Sequence, residues 1–244
     1  MRYFIEFAYK GTKYHGWQMQ PNAISVQEIL TAALALILNT PINLVGAGRT
    51  DTGVHAKQMF AHFDCDHIID KQHFIYKLNA YLPKDIAIIN IHKVPSNAHA
   101  RFDATARTYQ YNINSTKNAF DSDDSYYFKQ PLNIELMNKG CLILKKYTDF
   151  ECFSKTNTDV ATFNCKIEEA NWTTVDNNIY FIISADRFLR NMVRSIVGTM
   201  IAIGLERISL DDFCTIIESK NRSNAGFSAP AHGLYLTAVK YNFL

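Results

Sequence analysis

Strand-like and helix-like patterns take turns along the whole chain, and no stretch rich in glycine, proline or serine interrupts them. Residues 2–9 alternate, with Tyr3, Ile5, Phe7 and Tyr9 on one side, which predicts a strand. Ser25 and Glu28 have the spacing of a capping box, in which each side chain satisfies an orphan amide of the other's backbone. The Leu/Ala run behind them to Leu38, stopped by Asn39-Thr40-Pro41, predicts a helix. Met59, Ala61, Phe63 and Cys65 alternate with Gln58, His62, Asp64 and Asp66, predicting a strand wet on one face. A helix is expected over 70–82, strands over 86–94 and 104–114, an exposed polar loop over 117–130 and a helix over 133–147. Strands over 166–175 and 179–185 should pair around Asp176-Asn177-Asn178. An apolar helix over 189–204, a shorter one capped by Ser209 and a closing strand over 234–242 complete the order. This order implies an α+β fold with a hairpin-built sheet rather than the strict alternation of a doubly wound one.

Composition narrows the function classes. With 48% hydrophobic and 20% charged residues over 244 positions, the chain is an ordinary globular one, so disordered and fibrous classes are excluded. No apolar run approaches the ~20 residues of a membrane span, and residues 1–7 lack the apolar core of a secretory signal. Five cysteines, Cys65, Cys141, Cys152, Cys165 and Cys214, form no C-x-x-C pair, which fits reduced thiols better than a disulfide framework. A soluble, cytoplasmic protein is expected.

Three constellations carry chemistry. In Gly46-Ala47-Gly48-Arg49-Thr50-Asp51-Thr52-Gly53-Val54-His55-Ala56, three glycines, charged groups and a histidine sit between a helix and a strand. Neither a dinucleotide fingerprint nor a P-loop fits it. Arg49 and Asp51 are two apart, so in extended geometry they point the same way, and a carboxylate beside a guanidinium stays ionised. That suits a nucleophile or base; a structural turn held by a surface ion pair accounts for the same residues. In the second, His99 to Tyr109, Arg101 and Arg107 can meet phosphates while Phe102 and Tyr109 offer faces for a base; a strand with tyrosines inward and arginines outward is the plainer alternative. In the third, Arg187 to Gly198, Arg190 and Arg194 are four apart, hence on one helix face, and Arg194 shares its stripe with Val197 and Ile201. An arginine there needs a partner, for which Asp51 is a candidate, or snorkels at the sheet's margin.

The overall charge is only +2, yet residues 46–57, 97–117 and 186–207 carry +1, +2 and +2, leaving the rest of the chain at −3. A cleft built from these segments would attract a polyanion, which favours nucleic acid as the ligand class. His62, Cys65 and His67 cluster in sequence, but His62 falls on the opposite strand face, so the cluster is read as a solvated edge plus a core cysteine rather than a metal site. No G-x-S-x-G hydrolase motif occurs. His15 and His55 sit in glycine-flanked loops, where a ligand or the local backbone are equally good partners.

Taken together, Gly48 to Ala56, Tyr14-His15-Gly16-Trp17-Gln18, residues 104–111, residues 188–198 and Gly226-Phe227-Ser228-Ala229-Pro230 resemble, in order and over nearly the whole chain, the TruA family of tRNA pseudouridine synthases. The resemblance implies two α/β subdomains, here 1–97 and 98–244, sharing a central mixed, mostly antiparallel sheet flanked by helices, with a basic cleft between them. It implies isomerisation of uridine to pseudouridine at positions 38, 39 and 40 of the tRNA anticodon stem-loop, by a homodimer needing no cofactor and no metal. Asp51 matches the catalytic aspartate, Tyr109 the tyrosine packing on the target base, Arg194 the arginine pairing with the aspartate, and Arg49 an arginine that displaces the target nucleotide. Ala98, His99, Ala100, Arg101 and Phe102 match a tRNA-contacting segment, with Arg101 as its phosphate ligand; Arg107 is a further substrate-binding candidate. Thr52 stands where the family often has alanine. The competing readings are a non-catalytic RNA-binding module, which would need the basic segments but not Asp51, and a carboxylate-dependent enzyme on a small nucleotide.

Overall fold

The computed structural model describes residues 1–66, 68, 70–156 and 160–244, so His67 of the histidine–cysteine cluster lies outside the described residues. The chain divides into two compact units, Met1–Thr105 with Leu236–Leu244, and Ala106–Tyr235. Both mix helices with mainly antiparallel strands, the α+β class expected.

The first unit contains β1 (Arg2–Tyr9), α1 (Val26–Leu38), β2 (Val45–Gly46), β3 (His55–Asp64), α2 (Lys71–Tyr81) and β4 (Ile86–Val94). Strand β1 lies antiparallel between β3 and β4, pairing Ile5 with Ala61 on one side and Ile91 on the other. Ser25 caps α1 by accepting the Glu28 N–H, and Asn39 ends it in the left-handed conformation (φ 51°). Asp70 caps α2 in the same way, accepting the His73 N–H.

Strand β3 corrects one expectation. Besides Met59, Ala61 and Phe63, its Phe60 and His62 are buried, so the strand is not wet on one face. The second face is covered by an aromatic cluster: Phe60 lies edge-on to Tyr241 at 5.3 Å, and Phe4, stacked on His62 at 6.0 Å, meets Tyr241 and Phe243. A strand covered on both sides loses the alternation that marks a half-solvated one.

The second unit is built on β5 (Ala104–Asn114), β6 (Tyr126–Tyr127), α3 (Ile134–Leu144), β7 (Ile167–Val175), β8 (Asn178–Ala185), α4 (Met192–Gly204) and α5 (Leu210–Glu218); β9 (Leu234–Tyr241) closes the chain. β8 pairs antiparallel with both β5 and β7, the latter across the tight turn at Asp176 (φ 53°) and Asn177. The polar stretch 117–130 is not wholly a loop, because β6 within it pairs parallel with the end of β5. Ser209 and Asp212 form a reciprocal capping box at the start of α5. Arg190 does not share a helix face with Arg194: Asn191 adopts φ 66°, and α4 starts only at Met192.

Candidate active site

In the first unit, Asp51 opens a four-residue turn. The Val54 N–H donates to the Asp51 carbonyl at 3.1 Å, and Gly53 takes φ 81°, the value a type II turn requires at its third position. Segment 11–17 clamps this turn. The Gly53 N–H donates to the Tyr14 carbonyl, and the His55 Nδ1 accepts the Gly11 N–H at 3.0 Å. Tyr9 and Thr50 share a hydroxyl–hydroxyl hydrogen bond of 2.9 Å. A Cβ on Gly16 would stand 2.2 Å from the Thr50 carbonyl oxygen, so no side chain fits where the two segments meet. Trp17 is buried with its indole against Gly46. The Tyr14-His15-Gly16-Trp17-Gln18 block is therefore the floor that fixes the Asp51 backbone. Asp51 itself is half-buried, and Arg49 is exposed. Of the two loop histidines, His55 is 1% exposed and serves the backbone, while His15 is exposed.

Residues 98–103 form a second turn in this unit, gripped through its backbone by side chains from elsewhere. An Arg2 Nη1–H donates to the Ala98 carbonyl at 2.9 Å, the Ala100 N–H donates to the His62 Nδ1 at 3.1 Å, and the Tyr241 hydroxyl donates to the Ala100 carbonyl at 2.6 Å. His99 accepts the Arg101 and Phe102 N–H groups on its Nδ1, while its own N–H donates to the Asp103 carboxylate at 2.7 Å. His62 is 5% exposed, so it belongs to the interior and not to a solvated edge. Burial, helped by His99 and Arg2, lowers its pKa from 6.5 to about 4, leaving it the neutral acceptor this geometry needs. Burial lowers His99 as well, opposed by Asp103. Among the described residues no cluster of three or more histidine, cysteine or acidic side chains is arranged to hold a metal.

In the second unit, Tyr109 stands on β5 opposite Ile183 and is half-buried, with the ring of Phe188 edge-on at 5.1 Å and 89°. Such a contact fixes a tyrosine ring without covering its whole face. Arg107 donates from Nη1 to the Asp186 carbonyl at 2.8 Å, tying β5 to the chain leaving β8.

Arg194, half-buried on the first turn of α4, is held by the strap 226–230. Its Nε–H donates to the Ala229 carbonyl at 2.7 Å, and the Ala229 N–H donates to the Arg194 carbonyl at 3.0 Å. The strap is fastened at Gly226, Ser228 and Pro230 as well. The Gly226 N–H donates to the Thr199 hydroxyl, and Arg222 donates to the Gly226 carbonyl and the Ser228 hydroxyl, each at 3.0 Å. Asn191 reaches Ser228 at 2.7 Å and the buried Ser195 at 3.0 Å. Tyr111, whose phenol burial pushes well above its ordinary pKa against the pull of Arg194, donates to the Pro230 carbonyl at 2.8 Å. The Gly226 to Pro230 block thus orients an arginine. The sequence shows no sign of Arg222, Asn191 or His62 in these roles: His62 takes a backbone amide 38 residues away, Asn191 reaches a hydroxyl 37 residues away, and Arg222 grips the strap just ahead of it in the chain.

The family model described as "tRNA pseudouridine synthase" matches residues 6–103 and 147–242. A protein of Bacteroides fragilis named tRNA pseudouridine synthase A is 51% identical over 242 residues, covering 98% of this chain and 96% of that one. Proteins of the same name from Parabacteroides distasonis (49% identical; 98% of this chain, 96% of that one) and Thermoanaerobacter sp. strain X514 (40%; 97% and 98%) match at similar coverage. The clamped Asp51 turn, the 98–103 turn and the Arg194 strap all fall within the matched residues.

Proposed function

The chain belongs to the tRNA pseudouridine synthase family and is an isomerase acting on tRNA, and from that premise we propose that its substrates are the uridines at positions 38, 39 and 40 of the anticodon stem-loop. The observation carrying this reading is the similarity, 51% and 49% identity over nearly the whole chain, to proteins named tRNA pseudouridine synthase A. The reaction breaks the N1–C1′ bond, turns the base, joins C5 to C1′ and moves the C5 proton to N1, with no net hydrolysis. The uridine is extruded from its stem, because the reacting atoms are otherwise stacked and paired. Unstacking costs a few kcal/mol, which stacking on Tyr109 and phosphate contacts from Arg101 and Arg107 offset.

Asp51 is the catalytic carboxylate in this proposal. Attack at C1′, attack at C6 and action at the 2′ position share one requirement, a charged carboxylate held still. Two features support the assignment: a type II turn whose glycine admits the needed φ, and a floor of backbone contacts from segment 11–17. Arg194 is its charge partner and Arg49 displaces the target nucleotide. Strapping Arg194 through Ala229 leaves the guanidinium little rotational freedom, which suits a group that must meet a carboxylate in one geometry. The protein acts in the cytoplasm as a homodimer, and among the described residues no helix is long and apolar enough to cross a membrane.

The test is to incubate the protein with unmodified tRNA transcripts and map pseudouridine by chemical sequencing. Product at 38, 39 or 40 is expected. Product confined to another arm overturns the substrate assignment, and binding without product makes the chain an RNA-binding module.

A further inference from the structure

The 98–103 turn combines two opposite features. Its backbone is drawn inward by groups from three other parts of the unit: Arg2 on β1, His62 on β3 and Tyr241 on β9. Its two largest side chains are turned outward. Phe102 is 74% exposed, and the exposed Arg101 places its guanidinium carbon 5.6 Å from the centre of the Phe102 ring. An exposed phenylalanine beside an arginine leaves a large apolar face in solvent, and the pair has the composition of a platform for a base and its phosphate.

Two imidazoles hold that platform. His99 accepts two consecutive backbone N–H groups, those of Arg101 and Phe102, at 3.1 and 3.3 Å. This copies the Asx-turn, in which a side-chain acceptor two or three residues back fixes the next peptide units. The His99 ring also lies 4.3 Å from the Phe102 ring and edge-on to His62 at 4.6 Å. His62 in turn accepts the Ala100 N–H from inside the sheet. Both acceptors are ring nitrogens with a lone pair, so both rings are neutral when they do this.

We propose that His62 and His99 are positioning residues for RNA binding, holding the 98–103 turn so that the Arg101 guanidinium and the Phe102 ring face the tRNA together. The proposal rests on the reading that this turn meets tRNA, and adds that two histidines outside the reacting centre set the strength of the contact. Neither imidazole needs to touch RNA. The consequence is a defect in binding and not in chemistry: loss of the acceptor frees the Arg101–Phe102 peptide units, and the ordering cost moves to the moment of association.

The experiment measures tRNA dissociation constants, KM and kcat for the full-length protein and four variants at neutral pH. His99→Ala removes the acceptor, and His99→Asn restores one at nearly the same place. Arg101→Ala/Phe102→Ala removes the platform, and the triple variant joins it to His99→Ala. Expected is a five- to tenfold rise in Kd and KM for His99→Ala with kcat within twofold, recovery to within twofold in His99→Asn, and no further rise when His99→Ala is added to the platform variant. A His99→Ala protein that binds normally overturns the proposal, as does the same penalty in the presence and absence of the platform, which marks a general structural defect. An unchanged Kd for Arg101→Ala/Phe102→Ala instead removes the premise that the turn contacts tRNA, so the two failures are distinguishable. Thermal melts confirm that each variant is folded before binding is read.

Discussion

Two glycines in helix interiors give a direct measure of how tightly the Arg194 strap is packed. Gly to Ala inside a helix ordinarily stabilises by about 1 kcal/mol, through propensity. At Gly140 on α3, an added Cβ would lie 3.0 Å from the Met200 sulfur and 3.3 Å from Ile203 Cδ1, both ends of flexible side chains. At Gly198 on α4, it would lie 1.8 Å from the Phe227 carbonyl oxygen, which is backbone. To restore even 3.0 Å, helix and strap must separate by at least about 1.2 Å, and overpacking on that scale costs about 1–3 kcal/mol. A strap displaced that far also strains the Gly226–Thr199 and Ala229–Arg194 hydrogen bonds, at about 1 kcal/mol each. The overlap outweighs the propensity gain, so Gly198→Ala should destabilise by about 2–4 kcal/mol, while Gly140→Ala should fall within about 1 kcal/mol of the parent. Urea denaturation of both variants checks this, with turnover measured on the folded fraction. Gly198→Ala should also lower kcat, because Arg194 is oriented from the strap. If Gly198→Ala is as stable as Gly140→Ala and fully active, the close approach of strap and helix is not what holds the arginine.

Two other expectations concern the first unit. His55→Phe keeps an aromatic ring but leaves the Gly11 N–H without the Nδ1 acceptor at 3.0 Å, so it should cost about 1–3 kcal/mol in urea denaturation. Stability should also fall in mild acid through His62, which faces His99, Arg2, Asp64 and Asp103. Its folded pKa, about 4, lies below the ordinary 6.5, so the unfolded chain binds more protons between those values and stability rises with pH across that window. The contribution is complete above pH 6.5 and is lost as pH falls towards 4; between pH 7.5 and pH 5 the loss is about 2 kcal/mol. Denaturation curves at the two pH values should show a loss smaller by about that amount in His62→Asn than in the parent, His99 supplying part of what remains.

How much of this was legible in the sequence depended on whether the cause was local. Strands 2–9, 86–94 and 104–114 and the caps at Ser25 and Ser209 follow from alternation and from side chains acting on their own helix, and the structure places them there. Structure and sequence pattern part where the cause lies elsewhere in the chain. His62 looks solvated in the sequence because the rings that cover it, Phe4 and His99, are 58 and 37 residues away. Arg190 looked helical because nothing in a single asparagine announces φ 66°. The candidate site was legible as ordered blocks, yet the physical reason for the Tyr14 to Gln18 and Gly226 to Pro230 blocks emerged only from the backbone they grip. Those blocks hold charged residues in place and contribute no charged group of their own.

In the proposed reaction a carboxylate at position 51 does the chemistry. Asp51→Asn keeps the shape of the side chain and the turn behind it but removes the charge. The decisive measurement is pseudouridine formed per enzyme in a single turnover on a tRNA anticodon stem-loop substrate, with Kd measured on the same preparation. Expected are no detectable product and a Kd within a few-fold of the parent. Turnover by Asp51→Asn at the parent's rate would contradict the proposal.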